Sequence, residues 1–211
     1  MENKEAAKEL KYIRSMIELS SGFRAINGWG VMAVGLVAIA VAWVANNMYG
    51  GHLTYYYFQL GPVLVRTSQL LIGGSLLLVL ACGLTVFLSS MWLARRRGIP
   101  FALDSAMRRL LFAFTVPLLA GGVLCVSLLM QGHYGLTSSI MLIFYGLALI
   151  NCHHFSHPLL GVLGYLELLL GLVDSFTVTH AFLFWVLGFG VLHVVFGQVL
   201  VISDRRRIKR G

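Results

Sequence analysis

Two ionisable residues stand in matching frames inside apolar stretches: Gly164-Tyr165-Leu166-Glu167-Leu168-Leu169-Leu170-Gly171 and Gly190-Val191-Leu192-His193-Val194-Val195-Phe196-Gly197. A carboxylic acid and an imidazole are the side chains that relay a proton or hold a cation inside a membrane. A charge at the centre of a bilayer costs about 3 kcal/mol on insertion scales, so residues of this kind at such depth mark function by default. The competing reading is structural. In it Glu167 is protonated, or bonds to His193, Tyr165, Gln198 or a backbone carbonyl, with Asn151 a further supporting candidate, and it only fixes helix register.

A second concentration of reactive side chains is Asn151-Cys152-His153-His154-Phe155-Ser156-His157-Pro158. His153 and His157 are spaced i,i+4 and His154 and His157 i,i+3, so a helical turn could offer two imidazoles, with the Cys152 thiolate as a third soft ligand. Against a metal, Pro158 ends a loop that need not be helical, and no second cluster supplies a fourth ligand. The histidines also suit interface anchoring, because this connection holds no Lys or Arg. Haem ligation would need imidazoles at matched depth on two helices; only His193 lies deep in a span, with His52, His133 and His180 near span ends. The sequence holds no HExxH, GxSxG or P-loop, and Gly188-Phe189-Gly190 lies inside an apolar helix. The expectation is a non-enzymatic protein without a cofactor.

The elements that position these residues follow from composition. Of 211 residues 58% are hydrophobic and 11% charged, with mean hydropathy +0.84, against about 25% charged in a globular domain. The chain belongs in lipid. The net charge of +8 would suggest nucleic acid in a soluble protein, but the basic residues flank apolar spans, which is a topology signal. The bilayer, another membrane protein or a second copy of the chain are the expected partners, and nucleic acid is not. Cys82, Cys125 and Cys152 lie in or beside apolar segments without CxxC spacing and read as reduced packing residues.

The expected architecture is all-α: a six-helix transmembrane bundle with spans at about 28–46, 68–94, 109–130, 136–151, 157–173 and 179–202, preceded by a leader over 1–27 and followed by a basic tail over 204–211. The fourth and fifth spans fall short of the ~20 residues a bilayer needs, implying local thinning or buried ends. In the leader, Ala6, Leu10, Ile13 and Ile17 recur at helical spacing opposite Lys4, Lys8, Lys11 and Arg14, as in a helix lying on a membrane surface. Its mixed charge and lack of a cleavage site argue against a signal peptide. Lys and Arg concentrate in the leader, in Arg95 to Arg109 and in Arg205 to Arg210, with Arg66 alone on the other side. The positive-inside rule then puts both termini in the cytoplasm. Tyr49, Tyr55, Tyr56, Tyr57 and Phe58 read as an interfacial belt on the outer side.

Consecutive spans joined by a short loop pack antiparallel, so the fifth and sixth bring Glu167 and His193 together, with Asp174 assigned to the loop between them. At 100° per residue Gly164 and Gly171 share the face of Glu167, and Gly190 and Gly197 that of His193. Small residues admit close helix contact, so both polar groups face packing surfaces. Pro117 removes a backbone bond in the third span and can kink it.

The stretches Tyr145-Gly146-Leu147-Ala148-Leu149-Ile150-Asn151, Leu163-Gly164-Tyr165-Leu166-Glu167 and Phe184 to His193, with the leader motif Tyr12-Ile13-Arg14-Ser15-Met16-Ile17-Glu18, resemble a family of small uncharacterised multi-pass bacterial inner-membrane proteins. The resemblance implies the bacterial cytoplasmic membrane and brings no activity. The expected role is an accessory, sensory or assembly component acting through helix packing. The alternative is a small proton- or cation-linked transporter or channel using Glu167 and His193.

Overall fold

Helix ends in this chain are set by local chemistry that can be read residue by residue in the computed structural model, which describes residues 27–48, 81–85, 88–89, 91–92, 95–96, 105–133, 135–153 and 158–208. The Asn27 carboxamide accepts a bond from Trp29 N–H at 3.1 Å, capping α1, Gly28–Met48. An amide or hydroxyl side chain in that position satisfies one of the donors that every helix start leaves open. Helix α2, Ser105–Met130, continues through Pro117. It stops at Gly132, whose φ of 80° is open to glycine without strain. Gly132 N–H bonds to Leu129 O and His133 N–H to Leu128 O, which is the Schellman arrangement for closing a helix. Helix α3 spans Gly135–Cys152 and α4 Pro158–Phe176. Proline suits the first turn because its missing N–H has no partner to lose there.

A short 3₁₀ turn, Val178–His180, leads into α5, Ala181–Trp185, then a π-helical segment, Val186–Leu192, and α6, His193–Ile208. Among the described residues there is no strand. Among those residues five stretches are long and apolar enough to cross a membrane: 28–47, 108–130, 135–152, 158–176 and 181–203. The chain is an integral membrane protein with an all-helical fold. The leader and most of the expected second span lie outside the described residues.

Two adjustments to the expected spans have a common cause. Helices α3 and α4 have 18 and 19 residues, so both approach bilayer length and the thinning inferred from shorter spans is not required. The difference for α4 is its last turn, assigned in the sequence to a loop because Asp174 and Ser175 are polar. Asp174 is instead buried inside the helix, where its carboxylate accepts a bond from Ser139 of α3.

Packing is organised by two glycine seams. On the first, α3 and α4 run antiparallel so closely that a Cβ placed on Gly146 would lie 2.7 Å from Gly164 O, and one on Gly164 2.8 Å from Gly146 O. Gly171 meets the Leu142 and Ile143 backbone turn in the same way. On the second, α1 packs along the π segment and α6: Gly28 against Gly197 O, Gly35 against Gly190 O, Gly197 against Met32 N. The glycines flanking Glu167 and those flanking His193 therefore serve different neighbours, α3 and α1 respectively. The expectation that the fifth and sixth spans pack closely on each other is corrected: α4 makes only slight contact with α6. Helix α2 covers α3, tied by Cys125 Sγ to Thr137 O at 3.7 Å and Cys152 Sγ to Leu110 O at 3.5 Å. All three cysteines are free thiols.

Gly164→Val should force the α3–α4 seam apart at a cost of about 1–3 kcal/mol, as overpacking of a close contact does. Thermal unfolding in detergent should show a lowered midpoint. Gly122→Ala on α2, where none of the described residues stands within 4 Å of an added Cβ, should leave it in place.

Candidate functional site

Glu167 and His193 meet, although their helices barely touch, because both reach into the space beside α3. Glu167 is completely buried and His193 only 2% exposed. Glu167 Oε1 lies 3.5 Å from His193 Nδ1. The same nitrogen lies 3.0 Å from Gly188 O, and the opposite ring nitrogen, Nε2, 2.7 Å from the Tyr145 hydroxyl. A carbonyl can only accept, so Nδ1 carries the proton and donates it to Gly188 O, while Nε2 of the neutral ring accepts from Tyr145 O–H. The result is a line of three groups from three helices: the Tyr145 phenol on α3, the His193 imidazole on α6 and the Glu167 carboxyl on α4.

The bond to Gly188 depends on the π segment. Residues 188 and 193 are five apart, which in an α-helix turns them about 140° from each other. A π-turn, with its i to i+5 closure, brings them into line. Gly188 has a second function. A Cβ there would lie 2.6 Å from Glu167 Oε2 and would overlap Leu142 Cδ2, so the missing side chain makes the room in which the carboxyl sits.

The surroundings are aromatic and apolar. Tyr145 and His193 are stacked with centroids 5.4 Å apart, Phe189 lies 6.2 Å from the imidazole and 5.3 Å from the Tyr145 ring so that the three rings form one cluster, and Phe114 meets the Tyr145 ring edge-on. Leu149, Leu160, Leu163 and Phe196 form the apolar core next to it. Both Glu167 oxygens are buried without a hydrogen-bond partner among the described residues. That departs from the rule that buried polar groups are paired, since a lone carboxylate gives up its hydration for nothing in return.

Tyr145 was missed in the sequence, and the proposed supporters are elsewhere. Tyr165 is 55% exposed; two residues from Glu167, it points about 200° away around the helix. Gln198 and Asn151 are exposed too. Gln198 is five residues past His193 and so on a different face, and Asn151 sits at the end of α3 beyond the core. The available signal for Tyr145 was a phenol three residues past the apolar Leu142, in the middle of a helix whose other ionisable group, Cys152, stands at its end.

In the histidine cluster, Cys152 is buried with its thiol directed at Leu110 O, and His153 Nδ1 bonds to Ile150 O. His154 and His157 lie outside the described residues. Among the described residues no three His, Cys, Asp or Glu side chains are grouped so as to hold a metal. His133 and His180 are exposed at helix ends.

No family model, no curated protein and no solved structure matches this chain. Its functional reading comes from the site's own geometry.

Tyr145→Phe removes the donor to Nε2 and should cost about 1 kcal/mol, the usual net worth of such a bond. Nitrogen-15 spectra of histidine-labelled protein should show His193 protonated at Nδ1. In the variant the Nε2 resonance should move, and the Nδ1 signal should hold.

Proposed function

We propose that the protein handles protons inside the membrane, as a small proton-linked transporter or channel in which Tyr145, His193 and Glu167 form a relay. The single observation carrying this reading is the buried Glu167 carboxyl, with no hydrogen bond to either oxygen among the described residues and an imidazole N–H only 3.5 Å away. A group that merely pinned helix register would be satisfied by its partners, because the unsatisfied alternative is costly. A group that takes up and releases a proton needs a free oxygen.

The relay works through the imidazole's two nitrogens. As Tyr145 O–H passes its proton to Nε2, the Nδ1 proton leaves Gly188 O for the Glu167 carboxylate across the 3.5 Å gap; water then reprotonates the phenolate oxygen, and the ring turns over to regain its Nδ1–H tautomer. One proton crosses the ring in each cycle. The reading is non-catalytic and needs no cofactor. The distribution of Lys and Arg supports placing the Cys152 end of α3 and both termini on the cytoplasmic side, and the resemblance noted above supports a bacterial inner membrane.

A second reading, an accessory or assembly component acting through helix packing, is favoured by the two glycine seams. Small-residue faces are how membrane helices associate.

Proteoliposomes carrying an internal pH dye and an imposed potassium diffusion potential separate the two. Proton entry above that of empty vesicles, abolished by Glu167→Gln and reduced by His193→Gln or Tyr145→Phe, is the expected result. Entry indifferent to Glu167→Gln in a folded protein sinks the relay, and no entry at all together with a co-purifying membrane partner supports the packing role.

A further inference from the structure

Helix α4 carries a second buried acid that the relay does not use. Asp174 is fully buried and lies seven residues beyond Glu167, two turns along the same face and about 10 Å higher. Its Oδ2 accepts a bond from Ser139 Oγ at 3.0 Å, and its Oδ1 has no hydrogen-bond partner among the described residues. The Ser138 hydroxyl, also buried, lies beside the carboxyl outside hydrogen-bonding geometry.

The α3–α4 register defines what separates the two acids. Ser139 is level with Asp174, and one turn further in Leu142 is level with Gly171. One turn beyond that, Tyr145 and Gly146 reach the level of Glu167. Leu142 has no exposed surface. A Cβ on Gly171 would touch its Cβ, and its Cδ2 fills the notch at Gly188 that also holds Glu167 Oε2. One leucine side chain thus occupies the layer between two carboxyls, held in place by the absence of side chains at two glycines. Between the two acids, α4 contributes only Leu168, Leu169, Leu170, Gly171, Leu172 and Val173.

We propose that Asp174 with Ser139 is a second, outer proton-accepting station, and that Leu142 is the hydrophobic gate that separates it from Glu167. The inference rests on the proton-handling reading above and adds its outer route. While Leu142 holds, no polar group among the described residues bridges the gap and protons stop at Glu167. When its side chain swings out of the Gly171–Gly188 notch, a short file of water links the carboxyls; dewetted apolar constrictions gate other channels in this way. The proton then leaves the Glu167 carboxyl for the water file, and the file delivers one to the Asp174 carboxylate, so charge is balanced at both ends. Among the described residues, the ionisable groups near this route are His193 and Tyr145 at the Glu167 layer, with the Cys82 and Cys152 thiols within electrostatic reach of Tyr145. At the outer layer His180 follows, on the 3₁₀ turn after α4, exposed and bonded to Thr179.

The test is proton entry into the same vesicles with Leu142→Ser, which shortens and wets the gate. Entry should rise about tenfold, equivalent to ~1.4 kcal/mol off the barrier. In that background Asp174→Asn should return entry to the wild-type level, and Ser139→Ala should lower it partly. Leu142→Ala is the substitute should the serine variant unfold, judged by its elution and thermal midpoint. The gate is overturned by a folded Leu142 variant that conducts no faster than wild type, and the outer station by a leak that Asp174→Asn leaves untouched. A sodium gradient at equal pH that drives the flux overturns the assignment to protons. Because each comparison is made within the Leu142 background, its failure is distinct from that of the relay, which is read from Glu167→Gln in the wild-type chain.

Discussion

Close approach of α3 to α4 is the constraint on which the rest of this structure depends. In lipid there is no hydrophobic drive for one apolar helix to choose another, so association relies on van der Waals contact and a few polar bonds. Gly146, Gly164 and Gly171 let the two backbones come within direct contact, and the Ser139–Asp174 bond pins one end of the seam. With that register fixed, Tyr145 and Glu167 fall in one layer and Leu142 in the next.

The third wall of the site is built differently. The rod formed by α5, the π segment and α6 is held by α1 through its own glycines, and touches α4 only lightly. It supplies His193 through a local widening of the helix, which brings the Gly188 carbonyl around to the imidazole. Widened turns of this kind are concentrated at functional sites, and here the geometry sets the ring's tautomer. One nitrogen is committed to donating and the other to accepting before Glu167 is considered.

Energetically the arrangement is unequal. The imidazole gains two hydrogen bonds, each worth about 1 kcal/mol net, and packs against the Tyr145 and Phe189 rings. The carboxyl beside it gains none among the described residues, yet sits where desolvation costs most. Stability alone would replace Glu167 by an apolar residue. The aromatic and leucine walls make the site apolar, and that raises the strength of every charge that forms in it.

Much of the plan was legible in the primary sequence because lipid imposes a coarse grammar: apolar runs of bilayer length, charges at their ends, and glycine and proline at the boundaries. Asn27, Pro158 and Gly132 mark helix ends by chemistry that acts within a few residues. Glu167 and His193 were conspicuous because ionisable groups are costly in such runs. What the sequence could not determine was which helix each glycine face would meet, since a small-residue face is complementary to any other. Consecutive order pointed α4 toward α6, while tertiary packing gave α4 to α3 and α6 to α1. Tyr145, the room at Gly188 and the burial of Asp174 all follow from those pairings. The sequence by itself determined a membrane bundle with an acid and a base at depth; only the tertiary structure decided their partners, because register between helices is set by contacts far apart in the chain and by a π-turn that no 3.6-residue periodicity foretells.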